Sequence, residues 1–457
     1  MNIHQTIAAV STPYGRGGIA VIRISGEEAL EVAERFFKPA GDVRLSAIPA
    51  NHTIWGHIYH QNERIDDGVA SVWRAPHSYT GEDTVEISCH GGIYLTQKVL
   101  EAAYLCGAVP AEGGEFTRRA FLNGKLGLAQ AEAVMDLIDA ETFEQVRLAS
   151  AGVHGVLSAR AGALYEDIKQ AVASIYAYID YPDEDLTIFS VSELLELLRE
   201  KEKELFSLSS SYKQVKTIRD GIRTVLAGKP NTGKSSLLNA LSGKDRAIVT
   251  EIAGTTRDVI EDSVNVGKLV LRIADTAGIR TSDDPIEAIG VQRSLKVLEE
   301  AELVLAIFDM HNFNEEDRAL CQRLKDCSAP VIAVFNKRDL GDTETPDTGI
   351  PIAASVQISA RTGEGIEELK QKVEALFFYG QIAYDTQAVV TNARQYASVQ
   401  SALKYVQNAI QALETGYSQD IAGMDLEQAL TALGELDGRE VSESIVDSIF
   451  HRFCVGK

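Results

Sequence analysis

The stretch 223–240 constrains the fold more than any other part of the chain. Apolar and β-branched residues at 224–227 predict a buried strand, and leucines at helical spacing after Ser235 predict a helix. Between them lies the pattern G-x-x-x-x-G-K-S, whose backbone N–H groups can converge on an anion at a helix N-terminus. Lys234 offers a donor to the β- and γ-phosphates, and the Ser235 hydroxyl offers a ligand to Mg²⁺. The alternative, a glycine-rich turn that binds nothing, does not account for this context, so the stretch predicts a nucleoside triphosphate site.

Three further segments, each after a predicted strand, indicate that the nucleotide is GTP rather than ATP. The sequence D-T-A-G at 275–278 can place an Asp beside Mg²⁺ and a glycine N–H beside the γ-phosphate. The sequence N-K-R-D at 336–339 ends in a carboxylate that can accept hydrogen bonds from both N1–H and the exocyclic amine of guanine. Adenine does not offer this pair of donors. The sequence S-A-R at 359–361 can supply a backbone amide to the base carbonyl.

The segment 250–258 lies between these motifs, and a Thr there can complete the Mg²⁺ coordination when the γ-phosphate is present. An ordinary polar loop is the alternative. Ile279 occupies the place where Ras-like enzymes carry a water-orienting Gln, so another group must act, and the acidic loop 283–287 offers candidates or simply a solvated surface. The predicted GTP contacts are Asn231, Thr232, Gly233, Lys234, Ser235, Ser236, Thr250, Glu251, Ile252, Ala253, Gly254, Thr255, Thr256, Asp275, Thr276, Ala277, Gly278, Asn336, Lys337, Asp339, Ser359, Ala360 and Arg361.

Composition narrows the class of protein. The formal net charge of −22 over 457 residues argues against a generally basic surface that coats nucleic acid, so any RNA contact needs a local patch or a partner. We find no window near the roughly 18 apolar residues of a membrane span, and no secretion signal at the start. The 5 cysteines lack zinc or disulfide spacing, which indicates reduced thiols in a cytoplasmic protein. From the lack of an apolar window, we expect no membrane among the partners.

The pattern of elements predicts four segments. Residues 1–118 indicate a mixed α/β domain, 119–218 long helices, 219–377 alternating strands and helices, and 378–457 helices again. We expect the two helical segments to form one discontinuous domain into which the nucleotide domain is inserted, because the termini of a compact domain usually lie close together. Two separate helical domains are the alternative. The predicted strands are 19–24, 53–60, 68–74, 84–89, 224–227, an apolar strand from 269, and 331–335, and the predicted helices are 94–105, 128–140, 142–153, 159–179, 192–212, 392–414 and 425–433.

With these motifs, and with T-P-Y-G-R-G-G at 12–18, T-G-E-D at 80–83, 115–125 and the C-V-G-K segment at 454–457, the whole chain resembles the MnmE family (also called TrmE) of tRNA modification GTPases. The family ending usually carries Ile where this chain has Val455. The resemblance implies an α/β and α fold class: an N-terminal α+β tetrahydrofolate-binding domain that also dimerises, a discontinuous all-α helical domain, and an inserted Ras-like P-loop G domain.

The resemblance also implies a GTPase that is activated by K⁺ and by dimerisation of its G domains. A cation beside the β- and γ-phosphates can offset developing charge where no arginine finger is available. Glu287 would be catalytic, orienting the attacking water through a bridging water. The implied ligands are Ser235 and Thr256 for Mg²⁺, and Asn231, Thr250, Ile252 and Thr255 for K⁺.

At the N-terminal domain, the resemblance implies folate contacts at Arg23, Glu86, Lys125 and Lys457. From the residues alone, each is a surface charge or a salt bridge. Cys454 would be catalytic, as a residue needed for modification, whereas the sequence alone equally suits a buried thiol and fits a prenylation box poorly.

The function that the resemblance implies is addition of an aminomethyl or carboxymethylaminomethyl group to C5 of the tRNA wobble uridine, with GTP, Mg²⁺ and K⁺ as cofactors. The one-carbon unit would come from 5,10-methylenetetrahydrofolate, with 5-formyltetrahydrofolate as a bound analogue. A homodimer would join an MnmG-type flavoprotein, which holds FAD and NADH, in a heterotetramer. The alternatives are a GTP-dependent switch protein in ribosome or RNA assembly, which should carry a basic RNA-binding domain, and a folate-dependent aminomethyl transferase with a merely regulatory G domain.

Overall fold

The computed structural model describes residues 4–41, 43–180, 190–242, 262–274, 298–341, 343–378, 387–415, 419–451 and 453–457. The chain divides into two compact units, and neither is continuous in sequence. The first unit combines Met1–Met135, Gly152–Glu202 and Ser398–Lys457, and the second combines Asp136–Ala151 and Lys203–Ala397.

The first unit contains a seven-stranded sheet in the order β3-β4-β5-β6-β2-β1-β7. All neighbouring strands run antiparallel except β1 and β7, which are parallel. The strands are β1 (Ile7–Val10), β2 (Ile19–Ser25), β3 (Phe37–Pro39), β4 (His52–His60), β5 (Glu63–Trp73), β6 (Thr84–His90) and β7 (Val109–Pro110).

Alternation along β2 shows how the sequence builds this sheet. Ile22 and Ile24 are fully buried, whereas Arg23 between them points to the other face and pairs in register with Glu86 of β6. Helices α1 (Ala29–Phe36) and α2 (Ile93–Leu105) contribute to the same core. The α/β character of this segment is therefore confirmed.

The helical part of the first unit brings together stretches from both sides of the second unit's sequence. Among its helices, α6 and α12 lie against each other: Gly423 packs against Ile175 and Tyr176, and the Tyr176 hydroxyl donates to Glu427 Oε1 at 3.0 Å. The prediction of one discontinuous helical domain is confirmed. Over both units, the described α-helices after α2 are α3 (Glu115–Leu122), α4 (Leu128–Ile138), α5 (Phe143–Val153), α6 (Val156–Asp180), α7 (Val191–Asp220), α8 (Lys234–Ser242), α9 (Glu315–Leu324), α10 (Ile366–Phe377), α11 (Ala393–Glu414), α12 (Gln419–Asp437) and α13 (Glu443–Phe450).

The second unit contains a six-stranded sheet in the order β13-β12-β11-β8-β10-β9, parallel except for the β9–β10 pair. Every residue of β11 and β12 is buried, as expected for parallel strands covered on both faces. The strands are β8 (Ile222–Ala227), β9 (Asp262–Val266), β10 (Leu269–Ile273), β11 (Leu303–Asp309), β12 (Val331–Asn336) and β13 (Ala354–Gln357).

Helix α7 is longer than the sequence indicates. The predicted helix ends at residue 212, but α7 continues to Asp220 because Val215 and Ile218 are buried in the core of the second unit. It stops at Gly221, whose φ of +80° favours glycine and where a Cβ would crowd the Val270 carbonyl. None of the described helices is long and apolar enough to cross a membrane.

Candidate nucleotide-binding site

The loop between β8 and α8 has the tight backbone that its sequence predicts. Gly228 and Gly233 have φ of +159° and +97°, and a Cβ at either position would collide with Ile307 O or with Asn336 Nδ2, respectively. Asn231 lies between them with a left-handed φ of +64°, which Asn tolerates better than most residues. The loop therefore turns back on itself and begins α8 at Lys234.

Lys234 and Thr232 hold the loop from inside. Lys234 Nζ donates to the carbonyls of Gly228 at 2.6 Å and Lys229 at 2.8 Å. Burial lowers the pKa of Lys234 below its usual value. Thr232 is fully buried, and its hydroxyl donates to Lys229 O at 3.0 Å.

Asn336 connects three of the predicted motifs through one buried side chain. Its Nδ2 donates to Thr232 O at 2.8 Å, and its Oδ1 accepts from the backbone N–H groups of Lys337 at 2.8 Å and Ala360 at 3.0 Å. Only 2% of the residue is exposed. A single amide thus fixes the glycine-rich phosphate loop relative to the two loops, at 337–339 and 359–361, that are predicted to recognise the base and are called the base-recognition loops below.

Asp339 presents an ionised carboxylate beside this junction. Oδ1 accepts a hydrogen bond from Ser359 Oγ at 2.7 Å, and Oδ2 lies 2.5 Å from Arg361 NH2. The Ser359 hydrogen bond and the charge of Arg361 hold the pKa of Asp339 below its usual range. An acceptor that stays charged suits the paired N–H donors of guanine.

Two further acidic residues, absent from the sequence-based prediction, anchor the site from the β11–α9 connection. Lys337 Nζ lies 2.6 Å from Asp309 Oδ2; although burial alone would raise the pKa of Asp309, hydrogen bonds from Lys337 and His311 hold it below its usual value. Lys229 Nζ lies 2.6 Å from Oδ2 of the fully buried Asp317 and 2.5 Å from Asn312 O. The sequence N-E-E-D at 314–317 could have indicated Asp317, because it is typical of a helix start and forms a capping box at α9.

These loops enclose a cavity of about 520 Å³. Thr232 and Ser359, two predicted contacts, are fully buried and do not line it, but each hydrogen-bonds to a lining residue, Asn336 and Asp339 respectively. Leu340 is a lining residue that the sequence did not indicate. The predicted contacts at 250–256 and 275–278, and Glu287, lie outside the described residues. The cavity is lined by Asn231, Gly233, Lys234, Ser235, Ser236, Asn336, Lys337, Asp339, Leu340, Ala360 and Arg361.

The donor set at the phosphate end suits a hard cation only in part. Ser235, in the first turn of α8, lines the cavity and offers a hydroxyl oxygen, and Asn231 offers an amide oxygen. Over the described residues, we find no group of three or more His, Cys, Asp or Glu side chains that could hold a metal ion. A cation here would therefore need phosphate oxygens as well as protein ligands.

The predicted folate residues lie in the first unit. Arg23 Nε donates to Glu86 Oε1 at 2.7 Å, and the guanidinium stacks over the rings of Tyr79 and Phe116 at 5.3 and 5.5 Å. Burial raises the pKa of Tyr79, whose hydroxyl shares a 2.9 Å hydrogen bond with Thr117 Oγ1. Arg23 and Glu86 thus form one cluster with an aromatic wall.

The segment that carries Cys454 and Lys457 reaches the same neighbourhood. Lys457 O accepts from the backbone N–H of Phe116 at 3.2 Å, and Cys454 O accepts from that of Gly114 at 3.3 Å. The Cys454 thiol is free, as are the other cysteines, and its residue is exposed. Lys125 Nζ donates instead to Pro76 O at 2.8 Å.

A parallel sheet with a glycine-rich loop between its central strand and a helix defines the second unit as a P-loop nucleotide-binding domain. Two family models match the chain: "GTP-binding protein TrmE N-terminus" over residues 6–125 and "MnmE helical domain" over residues 128–454. The chain belongs to the MnmE family, whose members it matches from end to end.

Two relatives and one solved structure illustrate the similarity. The tRNA modification GTPase MnmE of Clostridioides difficile is 40% identical over 461 residues, covering 100% of both chains. That of Bacillus pumilus is 42% identical over 460 residues, covering 99% of this chain and 100% of the relative. The G domain of the T. maritima FeoB iron transporter is 30% identical over 34% of this chain and 97% of its own, with a TM-score of 0.25, too low to carry a conclusion.

Proposed function

We propose that this protein hydrolyses GTP and, with a flavoprotein partner, modifies C5 of the tRNA wobble uridine. Family membership makes it a GTP hydrolase of tRNA modification. The observation that carries the GTP assignment is Asn336, which joins the phosphate loop to the base-recognition loops through three hydrogen bonds. The adjoining carboxylate of Asp339 would select guanine.

Within the G domain, Lys234 and the loop N–H groups would bind the β- and γ-phosphates. Ser235 and Thr256 would hold Mg²⁺, which neutralises charge on the phosphates, and Glu287 would orient the attacking water. Asp275 and the 250–256 segment would complete the site around the γ-phosphate.

Activation by K⁺ is part of the proposal, with Asn231, Thr250, Ile252 and Thr255 as ligands. Its support is the position of Asn231 on the cavity wall and the isoleucine at 279, which cannot orient water. We expect GTP turnover to be several-fold faster in KCl than in NaCl at equal ionic strength. Equal rates in the two salts would remove this part of the proposal.

The first unit would carry the modification chemistry. Arg23, Glu86, Lys125 and Lys457 would bind 5,10-methylenetetrahydrofolate or its 5-formyl analogue, and Cys454 would act beside them. Support comes from the Arg23–Glu86 pair, its aromatic wall, and the bond from Phe116 to Lys457.

We further propose a cytoplasmic homodimer that joins an MnmG-type flavoprotein, with FAD and NADH, in a heterotetramer. The product would be an aminomethyl or carboxymethylaminomethyl uridine. We assign 1–118 to folate binding and dimerisation, 119–218 and 378–457 to the helical domain, and 219–377 to the G domain.

One reconstituted reaction tests the proposed function. Purified protein, flavoprotein, unmodified tRNA, methylenetetrahydrofolate and an amine donor are incubated with GTP or GDP, and the wobble uridine is analysed by mass spectrometry. We expect product with GTP only. Product formed equally well with GDP would show that hydrolysis is not obligatory, and no product under either condition would contradict the modification assignment.

A further inference from the structure

The C-terminal half of α7 differs in charge from the rest of the chain. The sequence contains 66 acidic residues among 457, about one in seven, yet none occurs from 205 to 219. The first turn of α11 packs beside this half of α7, with the rings of Tyr212 and Tyr396 stacked at 4.6 Å. The stretch 387–413 also has no acidic residue. Acidic groups are therefore absent from both sequences that meet here.

One side of α7 in this region faces solvent, and we call it the α7 basic face. Its lysines, serines and phenylalanine recur at helical spacing while Leu205, Leu208, Val215 and Ile218 of the opposite side are buried. The α7 basic face consists of the exposed residues Lys203, Phe206, Ser207, Ser210, Lys213 and Lys216.

The three lysines are available to a partner. Within the part of the chain that the structure describes, Lys203, Lys213 and Lys216 form no ion pair, whereas Lys370 and Lys372 of α10 each lie within 3.8 Å of a glutamate. A favourable interaction with the helix dipole does not account for lysines at these positions. That interaction is confined to the last turn of a helix, and Lys203 and Lys213 precede the last turn of α7. The lysines extend over roughly 20 Å of helix, at about 1.5 Å per residue.

We infer that the α7 basic face binds the sugar–phosphate backbone of tRNA, an inference that rests on the proposed function. Lysine and serine side chains are common phosphate ligands, and an exposed aromatic ring can stack on an unpaired base. Phe206 is 63% exposed and is the large apolar residue of this face. Because the protein carries a net charge of −22, most of its surface repels a polyanion, which favours contact at a face whose six residues include no acidic side chain, with Glu202 and Glu204 flanking only Lys203 at one end.

The test is the salt dependence of tRNA binding by the full-length protein. An unmodified transcript with uridine at the wobble position is titrated at about 50 to 200 mM salt. For Lys203→Gln/Lys213→Gln/Lys216→Gln we expect the slope of log affinity against log salt to shrink by about 2 to 3, because each phosphate contact contributes about 0.9. Affinity at the lowest salt should fall at least tenfold.

A matched triple variant controls for net charge. Lys169→Gln/Lys370→Gln/Lys372→Gln removes the same charge, but each of these lysines lies near a glutamate on its own helix. We expect its salt slope to equal that of the wild type. Equal weakening by both triple variants, or an unchanged slope in the α7 variant, overturns the inference.

Other outcomes separate this inference from the proposed function. If the wild type binds tRNA through the α7 basic face but forms no modified uridine, only the proposed function fails. If it forms product while the α7 variant keeps the full salt slope, only this inference fails. An α7 variant that binds tRNA normally but no longer binds the flavoprotein would show that the face docks an acidic protein, which also overturns the inference.

Discussion

At the scale of single residues, the side chains of Arg23 and Asn336 are each held in one orientation by their hydrogen-bond partners. Asn336 satisfies both ends of its buried amide with three backbone partners. Arg23 is held by Glu86 on one side and by two aromatic rings, so its guanidinium has a fixed direction. Both side chains are therefore held in one orientation.

Replacing Arg23 tests the folate assignment. In Arg23→Ala the Glu86 carboxylate loses its partner and the aromatic wall loses its cation, so we expect 5-formyltetrahydrofolate to bind at least tenfold more weakly by calorimetry. Arg64→Ala is the control, because Arg64 pairs with Asp67 in the same sheet at an exposed position. Unchanged folate binding in Arg23→Ala would show that the folate contacts are assigned to the wrong residues.

Sequence reasoning identified Asn336, Asp339 and their partners as site residues, but not the bonds that join them. The motif N-K-R-D is local, so its four residues could be found by pattern. The bonds from Asn336 to Thr232 and Ala360 join residues 104 and 24 positions away, and no local pattern encodes them. Arg23 and Glu86 came only from the family resemblance, because their pairing depends on the register of β2 with β6.

At the scale of elements, residues at the end of β11 and the start of α9 form ion pairs with two loops of the nucleotide site. Asp309 at the end of β11 holds Lys337 of the base-recognition loop, and Asp317 in the first turn of α9 holds Lys229 of the phosphate loop. Asn231 lies between Lys229 and Thr232, which are tethered to Asp317 and Asn336. The orientation of Asn231 thus depends on two separate anchors.

Breaking the Lys229–Asp317 pair should impair catalysis as well as stability. Lys229→Met leaves a buried carboxylate unpaired, which we expect to cost about 3 to 5 kcal/mol in urea unfolding. At saturating GTP, we expect kcat to fall about tenfold, because a displaced phosphate loop misplaces the reacting groups. Lys229→Arg should retain most activity, since it preserves the pair.

The double variant Lys229→Met/Asp317→Leu distinguishes positioning from stability. Replacing a buried ion pair by apolar residues is often neutral, so most of the unfolding free energy should return. We expect kcat to stay low because the anchor is still missing. Recovery of kcat together with stability would show that the pair only stabilises the fold.

The elements themselves were largely predictable, but their ends were less so. Strong alternation or apolar runs identified β2, β4, β5, β6, β8 and β12. The short strands β1 and β7 were missed, since four and two residues carry too little pattern. The C-terminal turns of α7 were missed because they contain lysines and the β-branched Thr217 and only two core residues, Val215 and Ile218. That these two are buried becomes clear only from tertiary packing.

At the scale of the whole molecule, residues 454–457 return to the first unit's sheet. Ser11 Oγ donates to Gly456 O at 3.2 Å, and Val455 forms a bridge with Gly113. Gly456 has φ of +100°, and a Cβ there would collide with Val10 O. Only glycine permits this close approach.

Gly456→Val should therefore separate two activities. We expect the tail to leave the sheet, so that folate binding and uridine modification fall at least tenfold while GTP turnover, catalysed in the second unit, stays within twofold. Gly162→Ala in α6 is the control, because its Cβ meets only ordinary contacts. Normal folate binding by Gly456→Val would contradict the role assigned to this segment.

The packing of α6 on α12 has a consequence for biosynthesis. Ile175 of α6 is emitted from the ribosome about 250 residues before Gly423, its partner in α12. At a synthesis rate of roughly 5 to 20 residues per second, the apolar side of α6 stays uncovered for on the order of 10 to 50 s before that partner is made. During this interval the nascent chain exposes an apolar helix surface that promotes aggregation. A chaperone that covers this surface would raise the yield of native protein.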